Sequence, residues 1–157
     1  MSESEILQRL SDLGLEVPPV TPPVASYVPV ALAGGLAFVA GQVPMVDGVL
    51  VHPGILGQSV TVPDAQQSAA RAALQAIGAL RAELGTLDRV RRIVQVTVYI
   101  AAVPGFVEHA QVANGASDLL VEAFGEAGRH ARAAVGMASL PLGASVEVAV
   151  IAEVEPA

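Results

Sequence analysis

The segment RIVQVTVYIA, residues 92–101, decides the fold class of this 157-residue chain. Its β-branched residues alternate with more polar ones, which predicts a strand with one dry face and one more polar face. The segment lies between two apolar patterns of helical spacing, at 65–84 and 105–125. A strand between two long helices indicates an α+β arrangement.

Further strands are expected on both sides of this central unit. Gly34-Gly35 is the signal of a two-residue hairpin turn, and a turn at 140–143 is expected to join the last two strands. The two long helices would then pack on one face of a mixed sheet and leave the other face in need of cover. The predicted strands span residues 27–33, 36–42, 49–52, 92–101, 131–138 and 144–154.

The N-terminal part of the chain is predicted to form a separate unit. Ser2 and Glu5 make a capping-box pattern ahead of an amphipathic helix at 3–13. The four prolines that follow enforce an extended linker. We therefore divide the chain into an N-terminal helix and Pro-rich linker, 1–23, and a main domain, 24–157.

The composition is strongly apolar, with 53% hydrophobic and only 15% charged residues. A single subunit would lack polar groups to cover its surface, so we expect an oligomer. A net charge of −7 and the absence of lysine disfavour nucleic-acid binding, because phosphate neutralisation needs a basic face. Proline and glycine interrupt the apolar stretch 27–46, which argues against a membrane span and for a cytoplasmic protein.

The sequence lacks the motifs of several large enzyme classes. It carries no metalloprotease, α/β-hydrolase, phosphate-loop or Rossmann pattern. Without cysteine there is neither a thiolate nucleophile nor a Cys-ligated zinc. His52, His109 and His130 lack metal-ligand spacing, so we expect no metal site and assign these histidines surface or capping roles.

Two charged residues, Arg132 and Glu147, fall inside apolar strand patterns, where an ionised group is costly unless it is paired or used. One interpretation places them on neighbouring antiparallel strands as a structural ion pair at a subunit contact. The other makes Arg132 a bidentate clamp for a substrate carboxylate and Glu147 an acid or base that positions a water molecule. The spacing alone leaves both interpretations open.

Five short motifs, spread over most of the chain, form one combined pattern. They are Tyr27-Val28-Pro29, Ala40-Gly41-Gln42-Val43-Pro44, Ala131-Arg132, Ala138-Ser139-Leu140-Pro141 and Val146-Glu147-Val148. Together they resemble the signature of the YjgF/RidA family of reactive-intermediate imine and enamine deaminases, a family also described as L-PSP endoribonucleases. The likeness extends from residue 24 to residue 154.

This resemblance implies a chorismate-mutase-like α+β fold assembled as a homotrimer, with sites at the clefts between subunits. It further implies hydrolysis of 2-iminobutyrate, 2-iminopropionate and similar imines to 2-oxo acids and ammonia, without a metal or organic cofactor. Arg132 would bind the substrate carboxylate, and Glu147 would hold the attacking water. The other implied site residues are Gly41 and Ala134, through backbone groups, Tyr27 at the flank of the cleft, and the Asn114 amide.

The sequence departs from the family pattern at two positions and therefore indicates a divergent branch. Ala40 stands where the family usually has serine, and Ala134 stands where cysteine is common. Non-catalytic binding of small carboxylates, as a sensor or carrier, is therefore the alternative function. An endoribonuclease or translation-inhibitor role is disfavoured by the acidic balance, and the arginines at 89–92 are interpreted as a solvated turn with salt bridges to Asp88.

Overall fold

The computed structural model describes residues 1–20 and 26–156, and Pro22 and Pro23 of the predicted linker lie outside these residues. Within the described ranges, short 3-10 turns accompany three α-helices and seven strands. The elements are α1 (Glu3–Asp12), β1 (Val30–Ala33), β2 (Leu36–Gln42), β3 (Met45–Val46), β4 (Val49–Leu50), α2 (Val62–Leu84), β5 (Val90–Ala101), α3 (His109–Phe124), β6 (Ala131–Met137) and β7 (Val146–Val154).

Five strands form one mixed sheet in the order β1-β2-β7-β5-β6. The neighbours β1/β2, β2/β7 and β7/β5 are antiparallel, whereas β5 and β6 run parallel. The short strands β3 and β4 pair separately as a hairpin. Helices α2 and α3 pack against each other and against the sheet. The α+β class and the mixed sheet predicted from the sequence are confirmed.

Alternation along β7 separates the two faces of the sheet. Its valines and Ala152 are buried on the helix side, while Glu147, Ala149 and Ile151 lie on the opposite face and are only partly buried. Small residues let α2 and α3 approach closely, and a Cβ atom at Gly115 would overlap the carbonyl oxygen of Gln66. The core therefore lies between the sheet and the two long helices.

The opposite face of the sheet, which we call the open face, carries exposed apolar side chains. Phe38 is 41% exposed, Val135 41% and Met137 37%. Their strand registers place them on the same side as Ile151 and Tyr99. The open face is thus an apolar surface without cover from the described part of the chain, as the sequence predicted.

The predicted hairpin at Gly34-Gly35 is confirmed. The two glycines have φ angles of 56° and 76°, which the two-residue turn needs and which side chains with a Cβ rarely adopt. Ala33 and Leu36 flank the turn as paired residues. The turn fixes the register of β1 on β2.

The expected pairing of the last two strands is wrong. Strand β5 lies between β6 and β7, and the segment between β6 and β7 passes the end of β5 instead of turning back directly. The 3-10 turn Pro141–Gly143 in this segment includes Leu142 at φ 60° and does not form a strand-pairing turn. Arg132 and Glu147 are therefore not on adjacent strands.

Two helix boundaries also differ from the sequence prediction. Helix α3 begins at His109 and not at residue 105, because Pro104 and Gly105 (φ 87°) hold a loop that includes Phe106. Helix α2 begins three residues earlier than predicted, because the Thr61 side chain accepts a hydrogen bond from the Asp64 backbone and caps it.

Helix α1 has the predicted capping box between Ser2 and Glu5. Its residues Ile6 and Leu10 are fully buried and belong to the same core cluster as the sheet and the long helices. The Glu3 carboxylate also lies 2.7 Å from Arg81 Nη2 of α2. The helix is therefore packed into the main core, while the division of the chain after residue 23 stays a prediction.

The arginines at 89–92 do not pair with Asp88, and that expectation is wrong. Arg89 donates to the backbone oxygens of Leu84 and Glu155, and Arg91 lies 3.3 Å from the Glu155 carboxylate. Asp88 instead accepts a hydrogen bond from the Glu3 backbone. Within the described residues, no helix has the length and hydropathy to cross a membrane.

Candidate functional site

Arg132 lies on β6 and faces helix α3. Its register partner on β5 is Val96, which is fully buried on the helix side of the sheet. The Arg132 Nη1 atom donates to Asn114 Oδ1 at 2.9 Å and to Ser117 Oγ at 3.1 Å, and Nη2 donates to the Ala110 carbonyl at 3.4 Å. These partners lie along one face of α3, so the helix holds the guanidinium in one orientation.

The donors of Arg132 can be counted from these contacts. A guanidinium has five N–H donors, and the two on Nη1 are occupied by Asn114 and Ser117. Of the two on Nη2, one is directed at Ala110. The Nε–H has no acceptor among the described residues, and Nε and Nη2 together offer the parallel N–H pair that suits a carboxylate. No acidic side chain of the described residues forms a salt bridge with Arg132.

A chain of hydrogen bonds runs from Arg132 through Ser117 of α3 to His130 and Gly128. His130 Nδ1 lies 2.6 Å from the Gly128 carbonyl, and because a carbonyl only accepts, Nδ1 carries the proton. In this tautomer Nε2 is the acceptor for the Ser117 hydroxyl, 2.9 Å away. Ser117 thus donates to His130 and accepts from Arg132, which fixes all three side chains.

Glu147 lies on the open face of the sheet, beside Tyr99 of β5. Burial raises the pKa of the Glu147 carboxyl above its usual value, because the charged form loses solvation. The carboxyl lies directly over Gly41, where a Cβ atom would overlap Glu147 Oε1. The glycine is therefore required for this position of the carboxyl.

A cavity of about 360 Å³ opens beside the Glu147 carboxyl. Its lining combines the titratable groups of Glu147 and Tyr99 with Gly41 and with the segment after β6. The lining residues are Gly41, Tyr99, Met137, Ser139, Leu140, Pro141, Glu147 and Ala149. This cavity is large enough to hold a small molecule against a carboxyl whose pKa burial has raised.

The structure places the predicted site residues in two separate groups. Arg132 and Asn114 meet on the helix side of the sheet, with Ala134 on the same face of β6. Glu147 and Gly41 meet on the open face. The interpretation of Arg132 and Glu147 as an ion pair on neighbouring strands is wrong within the chain, because β5 separates their strands and their side chains lie on opposite faces.

Tyr27 is not brought into either group. It is 50% exposed and lines neither the cavity beside Glu147 nor a second cavity, of about 520 Å³, beside His109. Ser117, His130 and Tyr99 were not predicted as site residues. The spacing of Ser117 three residues after Asn114, and of His130 two residues before Arg132, is the signal that would have identified the first two.

Metal ligation is not favoured by the arrangement of acidic and histidine side chains. Among residues 1–20 and 26–156, no three His, Asp or Glu residues form a group that could hold a metal ion. His130 and His109 stand in different environments, one bonded to Ser117 and one at the start of α3.

The fold and these two groups of residues define an α+β protein with one mixed sheet and with cavities beside Glu147 and beside His109. A model of the family described as "YjgF/chorismate mutase-like, putative endoribonuclease" matches residues 7–154. The chain therefore belongs to the YjgF family, as its motifs predicted, and its sheet and helices agree with the chorismate-mutase-like fold. The match begins inside α1, before the first of the motifs.

Three relatives resemble the chain over nearly its whole length. Protein TCP17 of Trypanosoma cruzi is 42% identical, covering 98% of this chain and 96% of that protein. The crystal structure of Atu1372 from Agrobacterium tumefaciens, a protein of unknown function, is 43% identical with a TM-score of 0.92 and covers 98% of this chain and 94% of that one. A "putative endoribonuclease" from Shewanella oneidensis is 33% identical with a TM-score of 0.91, covering 98% and 100%.

Proposed function

We propose that this protein hydrolyses small 2-imino acids to 2-oxo acids and ammonia at clefts between the subunits of a homotrimer. The observation that carries the proposal is how the Arg132 guanidinium is oriented and that it has no acidic partner among the described residues. Helix α3 fixes its guanidinium, no described acidic residue neutralises it, and its free edge matches a carboxylate. A permanent positive charge held in this way is a binding group for an anionic substrate.

Glu147 is proposed to supply the acid and base steps. In the reaction the oxygen of a water molecule attacks the imine carbon while Glu147 accepts the proton of that water. Glu147 returns that proton to the nitrogen, which gives a carbinolamine. It then takes the proton of the new hydroxyl group and delivers it to the nitrogen as the carbon–nitrogen bond breaks, which releases a 2-oxo acid and ammonia. The raised pKa of Glu147 supports this role, because a carboxyl that holds a proton more tightly is a stronger base toward water and can return the proton to the nitrogen.

Two copies of the chain are needed to complete this site. Arg132 and Glu147 lie on opposite faces of the sheet, so the cleft would combine Arg132 of one subunit with Glu147 and Gly41 of the next. The exposed apolar side chains of the open face, among them Phe38 and Val135, supply area for the subunit contact. Tyr27 would reach the cleft only in the assembled trimer.

The chemistry requires no metal or organic cofactor in this proposal. An imine is already electrophilic, so its hydrolysis needs orientation and a held water more than a strong nucleophile. Such imines arise where amino acids are metabolised, and we therefore place the protein in the cytoplasm, acting on a small carboxylate and not on nucleic acid.

An assay for ammonia release tests the proposal. An amino-acid oxidase generates 2-iminobutyrate, and the loss of imine is followed with and without the protein. We expect the wild type to accelerate hydrolysis and Arg132→Ala to lose about 100-fold or more in rate, because the carboxylate is no longer oriented. No acceleration by the wild type, or full activity of Arg132→Ala, contradicts the proposal.

Non-catalytic binding of small carboxylates is the second candidate. It is favoured by Ala40 and Ala134, which remove the hydroxyl and thiol that the family pattern carries beside the cleft. A 2-oxo acid that raises the melting temperature of the wild type, with no acceleration of imine hydrolysis, selects this function.

Endoribonuclease activity is a third candidate, because the descriptions of the family and of the Shewanella relative include this activity. The net charge of −7 opposes it, and Glu155 already binds Arg89 and Arg91. Cleavage of RNA that weakens with salt and is lost on replacing the arginines at 89–92 would establish it.

A further inference from the structure

A cavity of about 520 Å³, which we call the His109 cavity, lies between the start of α3 and the carboxyl ends of β5 and β6. Its volume is in the range of pockets that hold drug-sized ligands. Most of its wall is apolar, with Ile55, Val103, Phe106 and Met137, and its polar side chains are Gln58 and His109. None of the site residues predicted from the sequence lines it.

His109 is placed in this cavity by its neighbours. Its ring stands edge-on to Phe106, with ring centroids 5.1 Å apart. A Cβ atom at Gly136 would come within 2.7 Å of His109 Nε2, so the glycine makes room for the imidazole. The ring nitrogens of His109 form no hydrogen bond with the described residues, and they can therefore serve a ligand.

The His109 cavity and Arg132 lie on the same face of β6. Arg132, Ala134 and Gly136 alternate along β6 and share the face that looks toward α3. The Arg132 guanidinium reaches Ala110, which is the residue next to His109 along the chain. Small residues at 134 and 136 leave the path along β6 between Arg132 and the cavity without a bulky side chain.

We propose that the His109 cavity binds the side chain of the substrate, and that the preferred substrates are 2-imino acids with an aromatic or large branched apolar side chain. This inference rests on the proposed function, because it takes Arg132 as the carboxylate anchor. With the carboxylate on Arg132, the side chain runs over Ala134 toward Phe106 and His109. A two-carbon side chain contacts little of the cavity wall, whereas a phenyl ring makes apolar contacts with more of it.

Binding of two stable 2-oxo acids tests the proposal, with phenylpyruvate and 2-oxobutyrate measured by titration calorimetry. We expect phenylpyruvate to bind the wild type about tenfold or more tighter, because the ring removes additional apolar area from water. Gly136→Val, which displaces His109 and fills the cavity, should abolish this preference and leave 2-oxobutyrate binding within about twofold of wild type. A poorly folded variant would lose both ligands together.

Gln58→Trp is the second variant, because it fills the same cavity from an exposed loop position and places no strain on β6. It should reduce phenylpyruvate binding in the same way. Ala133→Val also introduces a valine in β6, but on the other face, where its register partner is Thr97, and it should keep the preference.

The outcomes separate this inference from the proposed function. Equal affinities for the two acids, or an unchanged preference in both cavity-filling variants, would overturn the His109 cavity as the side-chain site while Arg132 still binds 2-oxobutyrate. Phenylpyruvate that binds Arg132→Ala as tightly as wild type would overturn it too, because the ligand would not span both groups. Failure of both acids to bind the wild type would reject the proposed function and this inference together.

Discussion

Arg132 owes its orientation to side chains of α3. Asn114 and Ser117 occupy both Nη1 donors, and the hydroxyl of Ser117 is itself committed to His130. Without these partners a long arginine side chain on an edge strand would sample many rotamers and lose entropy on binding a ligand. The affinity of Arg132 for a carboxylate should therefore depend on residues that never touch the ligand.

Replacing Asn114 tests this dependence. Asn114→Ala removes one charge-assisted hydrogen bond and should weaken 2-oxobutyrate binding about fivefold to tenfold, which corresponds to about 1 kcal/mol. Titration calorimetry measures the affinity. Gln111→Ala is the matched control, because Gln111 is also exposed on α3 and its side chain bonds to no described residue. If wild type, Asn114→Ala and Gln111→Ala bound 2-oxobutyrate with equal affinity, Asn114 would have no role in positioning Arg132.

Glu147 is expected to act in catalysis and not in ligand affinity. Glu147→Gln should lower the rate of imine hydrolysis about 100-fold and change 2-oxobutyrate binding little, since the amide keeps the shape of the carboxyl but exchanges no proton. Glu153→Gln changes the same residue type on the same face of β7 and should retain full activity. An active Glu147→Gln variant would contradict the assigned role.

The same substitution has a pH-dependent effect on stability. Because burial raises the pKa of Glu147, the folded protein binds a proton more tightly than the unfolded chain, and stability falls as pH rises through the raised pKa. Glu147→Gln carries no such dependence. The melting temperature of Glu147→Gln minus that of wild type should therefore be larger at pH 8 than at pH 4. If Glu147→Gln were less stable relative to wild type at pH 8 than at pH 4, the burial argument would be contradicted.

Single elements of the fold differ in how far the sequence predicts them. The Gly34-Gly35 turn and strand β5 follow from local signals, namely positive-φ glycines and alternation along one segment. The placement of β6 depends on its contacts with β5, which are distant in sequence, so a turn motif at 140–143 wrongly suggested a hairpin with β7. Long-range pairing of this kind leaves no local pattern.

The candidate site shows the same limit. Arg132 and Glu147 were singled out because charges inside apolar patterns need a reason. The structure leaves Arg132 exposed with hydrogen bonds to α3, and it partly buries Glu147, which raises the pKa of that carboxyl. Their position on opposite faces could not be read from spacing, because it depends on the order of the strands. The His109 cavity, formed by the ends of β5 and β6 with α3, also depends on that order.

Helix α1 is anchored by Glu3 at its first turn. The Glu3 carboxylate accepts hydrogen bonds from the Leu87 backbone and from Arg81, and the Leu87 bond is the main reason that the pKa of Glu3 is lowered. Glu3→Gln should destabilise the protein by about 1–3 kcal/mol at pH 7, as measured by urea unfolding. Glu83→Gln, at an exposed position of α2, should have almost no effect.

The pH dependence of Glu3 has the opposite sign to that of Glu147. A lowered folded-state pKa contributes stability above the ordinary value of 4.5, and this contribution disappears as pH falls through the lowered pKa. The difference in unfolding free energy between wild type and Glu3→Gln should therefore shrink below pH 4. A constant difference from pH 7 to pH 3 would show that the carboxylate charge is not what anchors α1.

At the scale of the whole molecule, the open face supplies the subunit contact that the proposed trimer needs to bring Arg132 and Glu147 together. Phe38→Arg places a charge among the apolar side chains of this face and should dissociate the oligomer, with loss of imine hydrolysis and a retained circular dichroism spectrum. Light scattering after size-exclusion chromatography gives the mass. Val49→Arg, at a more exposed position outside the five-stranded sheet, is the control that should leave the assembly intact.

The central claim is that each site takes Arg132 from one subunit and Glu147 from another, and mixing two inactive variants tests it most directly. Arg132→Ala and Glu147→Gln are unfolded together in equal amounts, refolded and assayed for imine hydrolysis. Random assembly should restore roughly a quarter of the wild-type activity, since one site in four then receives both intact side chains. An active wild type whose mixed variants stay as inactive as either variant alone would contradict the account.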